Sequence, residues 1–170
     1  TGVFPSSPAE PVDVGPLELV WCKDSGLLQL GHTFDPVEMY GDNYGYRSGL
    51  NGSMVSHLEQ KVKYLEKMAQ LAEGDVVLDI GSNDCTTLNS YNTPGLVRVG
   101  IDPTGHKFRR YYPEDVLLVP DFFSAEKYDE LGVPNAKVVS SIAMFYDLDD
   151  PLQFAQNVES ILADDGLWHF

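Results

Sequence analysis

The chain has 170 residues, enough for one domain with a small appendage, and its apolar share of 43% suffices to fill a core. Acids outnumber bases 26 to 11, for a formal net charge of -15; phosphate backbones and anionic bilayers are bound through clustered Lys and Arg, so neither nucleic acid nor a membrane surface is expected as the main partner. Cys22 and Cys85 lie far apart and form no disulfide framework, which points to a reducing cytoplasmic location, and no apolar run approaches the roughly 20 residues that cross a bilayer.

Residues 1–16 carry Pro5, Pro8, Pro11 and Pro16 with little apolar periodicity, which predicts extended or disordered polypeptide. Two short apolar runs, 17–21 and 27–30, flank Lys23-Asp24-Ser25-Gly26 and predict a hairpin. Residues 35–52 are rich in Gly, Asn, Asp and Tyr and read as a structured loop. From Ser53 to Ala72 the pattern is helical: Met54, Leu58, Val62 and Leu65 share a face, with Ser53 or Ser56 available as N-cap. Beyond Gly74, strands are predicted at 76–80, 97–101, 116–119, 136–141 and 166–170, with helices near 85–91, 105–111, 124–131 and 151–163. The strands are continuous apolar runs, as when both faces of a parallel sheet are covered. The expected class is α/β, a doubly wound Rossmann-like sheet over residues 53–170, preceded by an N-terminal extension over residues 1–52.

Ligands on such sheets sit at the carboxyl ends of strands where the order reverses. Asp79 and Gly81 end the first strand of the sheet; a residue without Cβ allows a sharp turn and close backbone approach. Ser82, Asn83 and Asp84 lead into a helix whose N–H groups and dipole suit a carboxylate. Asp102, followed by Pro103, is placed to accept from both hydroxyls of a ribose. Asp121 is placed to accept from an adenine amine, with Phe122 and Phe123 as a wall for the base. An amino acid carboxylate at one end and a ribose at the other describe S-adenosylmethionine. A dinucleotide fits less well: G-x-G-x-x-G is reduced to Gly81, Asn83 and Thr86, and Asp84 would repel a pyrophosphate. The Walker pattern is absent. Taken singly, Asp102-Pro103 also fits a turn and Asp121 a helix cap.

Several segments together resemble the methyltransferases that C-methylate nucleotide-bound keto-sugars. They are 17–30 (LELVWCKDSGLLQL), Tyr44-Gly45-Tyr46-Arg47-Ser48, Ser53-Met54-Val55-Ser56-His57, Asp79-Ile80-Gly81-Ser82-Asn83-Asp84, and 140–151 (SSIAMFYDLDDP). The likeness spans roughly residues 17–170. It implies adenosylmethionine as cofactor, a small-molecule acceptor of the nucleotide-sugar type, Tyr46 and Ser48 over the cofactor, and Ser141, Ile142 and Met144 at its methionine end.

Three departures stand out. The family's zinc-binding region uses two Cys-x-x-Cys pairs, whereas here Cys22 has Ser25 in the partner position, so no metal is expected and the hairpin reads as a remnant. Cys85 replaces a glycine; its thiol is either acidified by the helix end or simply a small helix residue. The family's sheet has seven strands, and this chain stops in the fifth, so the sequence reads as truncated and no catalytic base is assigned. His57 and His106 are expected on the surface and His169 packed. Three functions stay open: sugar C-methylation, O- or N-methylation of another small molecule, and a non-catalytic assembly module that self-associates through an exposed sheet edge.

Overall fold

The computed structural model describes residues 7–12, 14–40 and 44–170. They divide into two units, Thr1–Tyr46 and Arg47–Phe170, each described by itself. Part of the expected Pro-rich extension, residues 1–6 and 13, lies outside the described residues, as do residues 41–43 of the expected loop.

In the first unit, β1 (Leu19–Trp21) and β2 (Leu28–Leu30) pair antiparallel with Val20 opposite Gln29, the hairpin that the flanking apolar runs predict. Gly26 closes the turn at φ +73°, a left-handed conformation that an L side chain resists. The turn is held by Cys22 N–H to Leu27 O (2.9 Å) and Gly26 N–H to Cys22 O (2.9 Å). A short helix, α1 (Pro36–Tyr40), stands where a loop was expected; five residues are too few to show a helical period in sequence.

The second unit opens with a 3₁₀ turn at Ser48–Leu50 and then α2 (Gly52–Ala69). The N-cap is Asn51 rather than Ser53 or Ser56: its side chain accepts from the N–H of Ser53 at 3.0 Å and from the Ser53 hydroxyl at 2.9 Å. Leu58, Val62, Leu65 and Ala69 form the buried stripe of α2, and Gln70 ends it in the left-handed region.

Five parallel strands follow: β3 (Val76–Ile80), β4 (Val97–Ile101), β5 (Val116–Val119), β6 (Ala136–Ser140) and β7 (Leu162–His169). Between them lie α3 (Thr86–Asn89), α4 (Gly105–Phe108), α5 (Ala125–Asp129) and α6 (Pro151–Ile161). The order across the sheet is β5-β4-β3-β6-β7. The chain thus steps outward from β3 to β5 and returns to lay β6 on the other side of β3. This is the reversal that opens a crevice at the carboxyl ends. β7 begins four residues earlier than predicted, because Leu162 pairs with Ala136 before an irregularity carries the register on to Leu167 opposite Val138.

All of β3 is buried, and its alternation assigns the two core faces. Val77 packs with Val62, Leu65, Leu88 and Phe108 on one face. Val76, Leu78 and Ile80 pack with Tyr128, Phe154, Val158 and Ile161 on the other. Each such fully buried side chain contributes about 1.5–3 kcal/mol, so the central strand is the most strongly fixed platform in the unit.

Candidate functional site

Register brings the strand ends together. Ile80 lies beside Ile101, Ile101 beside Val119, and Asp79 beside Ser140. Two further bonds continue the ladder past the strands: Gly81 N–H to Ile101 O (2.8 Å) and Asp102 N–H to Val119 O (3.1 Å). Asp79, Asp102 and Asp121 therefore follow one another along the tips of β3, β4 and β5.

The loop after β3 has left-handed residues at Gly81 (φ +75°), Asn83 (φ +48°) and Cys85 (φ +67°). Its shape is fixed by side chains. Asn83 N–H donates to Asp102 Oδ2 at 2.7 Å. Ser82 is buried, with its Oγ 2.8 Å from the Tyr112 hydroxyl, which itself donates to Asn83 O at 2.7 Å. The hydroxyl of Tyr112 has one proton, so Ser82 is the donor in the first of these bonds. The helix expected at 85–91 is only Thr86–Asn89, capped by left-handed Cys85 without a side-chain bond. One helical turn sums few peptide dipoles, so anion attraction by α3 is weaker than the sequence suggested.

Asp102 is buried and highly engaged. Its Oδ2 takes the Asn83 N–H, while its Oδ1 takes the Thr104 N–H at 2.6 Å and the Thr104 hydroxyl at 2.5 Å. A carboxylate offers about four acceptor positions, so one is left, on Oδ2. Pro103 beside it is half-buried, and its carbonyl lies 3.1 Å from His106 Nδ1.

Asp121 is exposed and bound to Lys127 Nζ at 2.5 Å; the Lys127 side chain and the Phe122 N–H hold its carboxyl below the usual carboxylate range. It does not cap α5, which Ser124 caps instead. The two phenylalanines part company: Phe122 is 38% exposed, whereas Phe123 packs edge-on against Phe154 at 5.3 Å in the core beneath. Phe122 is the more exposed of the two.

Across the crevice, Ser140 and Ser141 are wholly buried. Ser140 donates to Asp79 Oδ1 at 2.5 Å; Ser141 accepts from the Trp168 indole at 2.9 Å, and its N–H reaches His169 O at 3.0 Å. Ile142 is half-buried, Ala143 is left-handed at φ +57°, and Met144 Cγ lies 3.7 Å from where a Cβ on Gly81 would stand. The segment 140–144 thus borders the glycine turn. Asp79 itself is enclosed, on the same face of β3 as Val77; burial pushes its carboxyl up to about 7, against the pull of Ser140 and Thr87 and with the Asp102 charge adding to the rise. It supports the loop from beneath.

Arg47 was not among the expected site residues, and it holds the loop from outside. Its Nε donates to Asp84 Oδ2 at 2.9 Å, its NH1 to the Tyr111 hydroxyl at 2.5 Å, and its guanidinium stacks 3.9 Å over the Tyr111 ring. Asp84 also accepts from Gly49 N–H at 3.0 Å and the Thr86 hydroxyl at 2.5 Å, while Ser48 N–H donates to Asn83 Oδ1 at 3.0 Å. Asp84 is therefore a buried clasp for residues 47–49. An arginine as the one base in a loop that also carries Asp35, Glu38 and Asp42 was the available sequence signal. Tyr112 had none. Tyr46 closes the first unit, where its ring lies 6.4 Å from that of Tyr44. Cys85 is fully buried and its thiol is pushed up to about 12 by burial, which overturns the acidified alternative. His106 and His57 are exposed, and His169 is half-buried, with burial and Lys61 holding its imidazole below the usual value. No group of three or more His, Cys, Asp or Glu gathers as metal ligands among the described residues.

No protein-family model matches the chain. It is 28% identical over 155 residues to the C-methyltransferase NovU of Streptomyces niveus, a match covering 90% of this chain and 37% of that protein. The chain thus spans little more than a third of that relative's length. Among solved structures, it is similar to the plantazolicin methyltransferase BamL, solved with a triazolic desmethylPZN analogue and SAH (TM-score 0.53, 14% identity, 66% of this chain and 44% of that one). It is also similar to the mitomycin 7-O-methyltransferase MmcR (TM-score 0.51, 16% identity, 70% and 36%). The structural likenesses show the fold, a Rossmann-like parallel α/β sheet.

Proposed function

We propose that this chain is the adenosylmethionine-binding part of a methyltransferase for small-molecule acceptors, and that the acceptor is a carbon of a nucleotide-bound keto-sugar. One observation carries the first half. At the point where the strand order reverses, the Gly81–Asp84 loop is tied to the tip of β4 through Asp102, whose Oδ2 keeps one acceptor position for a ligand hydroxyl. The second half is supported by the 28% identity to a C-methyltransferase along 90% of this chain.

The residues present fit adenosylmethionine. Asp102 accepts one ribose hydroxyl, the left-handed Gly81 turn leaves its backbone open to close approach, and Met144 with Ser141 and Ile142 borders the methionine end. Phe122 is available to the adenine ring, and Asp121 keeps acceptor capacity beyond its bond to Lys127. Bound there, the cofactor supplies an electrophilic methyl group. The chain's own contribution is to hold the two reacting centres in near-attack geometry and to keep the loop from relaxing, through Asp79, Tyr112 and Arg47.

Calorimetry with adenosylmethionine and its demethylated product tests this. A hydrogen bond to a charged acceptor is worth about 1.5–3 kcal/mol, so Asp102→Ala should weaken binding roughly 10- to 100-fold. No binding at millimolar ligand, or unchanged binding by Asp102→Ala, defeats the reading. Product analysis over a panel of acceptors separates methylation at carbon from methylation at oxygen or nitrogen.

A further inference from the structure

We infer that the cleft between α2 and the end of β7 is a binding site for a phosphate or diphosphate group, the anionic part of the methyl acceptor. The assignment to an acceptor rests on the methyltransferase reading; the anion site itself does not. His57, Gln60, Lys61 and Tyr64 line this cleft from α2, with Leu65 at its base and His169 facing them from β7. The four α2 residues are spaced i, i+3, i+4 and i+7, which places them along one side of a helix beside its buried stripe.

Three features set the cleft apart. It is lined by a lysine, two histidines, a glutamine and a tyrosine, and by no acid, in a chain with 26 acids against 11 bases. Second, among the described residues these five polar side chains, gathered in one cleft, make no hydrogen bond or ion pair; Lys61 shares this with Lys23, Lys63 and Lys67, whereas Arg47, Arg98, Lys127 and Lys137 each pair with an aspartate. Lys61 Nζ, the imidazoles, the amide of Gln60 and the Tyr64 hydroxyl are all able to donate, more donors than a carboxylate can take and a match for the several oxygens of a phosphate. Third, the cleft lies at the carboxyl end of the sheet: His169 O accepts from Ser141 N–H, the residue that also borders the glycine turn. An anion held here sits beside the crevice assigned to the cofactor, where the non-reacting end of an acceptor must be anchored.

The test is titration of the intact chain with inorganic diphosphate, and separately with a nucleoside diphosphate, following the ring-proton resonances of His57 and His169. Both should shift and saturate, and Lys61→Met should weaken the response at least tenfold. His169→Gln, which keeps the backbone bond to Ser141, serves as a second variant with the same expectation. Adenosylhomocysteine titration of each variant should match the unsubstituted chain, which verifies folding and keeps the two sites separate. No saturable shift, or a response untouched by both substitutions, overturns the site. Tighter binding of the nucleoside diphosphate than of diphosphate supports the acceptor assignment, and equal binding overturns it. If diphosphate binds and adenosylhomocysteine does not, the anion site stands and the methyltransferase reading falls.

Discussion

Asp79→Asn isolates an acid whose titration burial carries into the neutral range. The carboxyl of Asp79 is enclosed under the β3 loop, and burial raises it from 3.8 to about 7. A folded value above the unfolded one means that the native state holds its proton while the unfolded chain has already released it. Stability from this group therefore falls as pH rises from about 4 to about 7, and levels off above that. Three pH units of separation correspond to about 4 kcal/mol in total, of which about 2 to 3 kcal/mol fall between about pH 5 and pH 8. Asparagine matches the protonated acid in shape and still accepts from Ser140, but does not titrate. The unfolding free energy of Asp79→Asn, measured by denaturant titration, should thus gain on the unsubstituted chain steadily across this range. Taking the difference cancels the other acids that the two proteins share. Parallel curves would show that Asp79 is solvated or paired in a way its enclosure denies.

Arg47→Ala should cost about 3 kcal/mol, because it leaves the buried Asp84 carboxylate without its cation, and Arg47→Lys should recover part of this while losing the stack on Tyr111; both are read by chemical denaturation. Tyr112→Phe should lose about 1–3 kcal/mol, since it removes the hydroxyl between Ser82 and the Asn83 carbonyl and leaves both buried groups short of a partner. In Gly81→Ala the new methyl meets only Met144 at an ordinary 3.7 Å, so the cost should be the backbone strain of about 1–2 kcal/mol at φ +75°, checked by thermal unfolding.

The sheet was legible because burial on both faces leaves a mark that survives in one sequence. Val76–Ile80 and Val97–Ile101 are mainly apolar stretches, each broken by one charged residue (Asp79 and Arg98), and both were delimited to the residue. α2 was legible through its period. α1 was not, since five residues define no period, and neither was the start of β7, where Asp164-Asp165-Gly166 reads as a turn although the backbone ladder has already begun at Leu162. In the site, the placement of Asp102 followed from strand ends alone. Its remaining capacity did not, because that depends on which N–H groups and hydroxyls already occupy its oxygens. Arg47 and Asp84 stand 37 residues apart, and no local pattern announces such a pairing. Phe122 and Phe123 looked equivalent as neighbours; one rotation along the chain leaves Phe122 on the surface and packs the partly buried Phe123 against the core.

The clasp around Asp84 also dictates how this polypeptide can be trimmed. A protease or a gene designer cutting at the visible start of α2 would discard Arg47, Ser48 and Gly49, three of the groups that satisfy Asn83 and Asp84. The severed piece would keep its helix and every strand, yet its glycine turn would be left to find a new shape. A cut just ahead of Arg47 spares it.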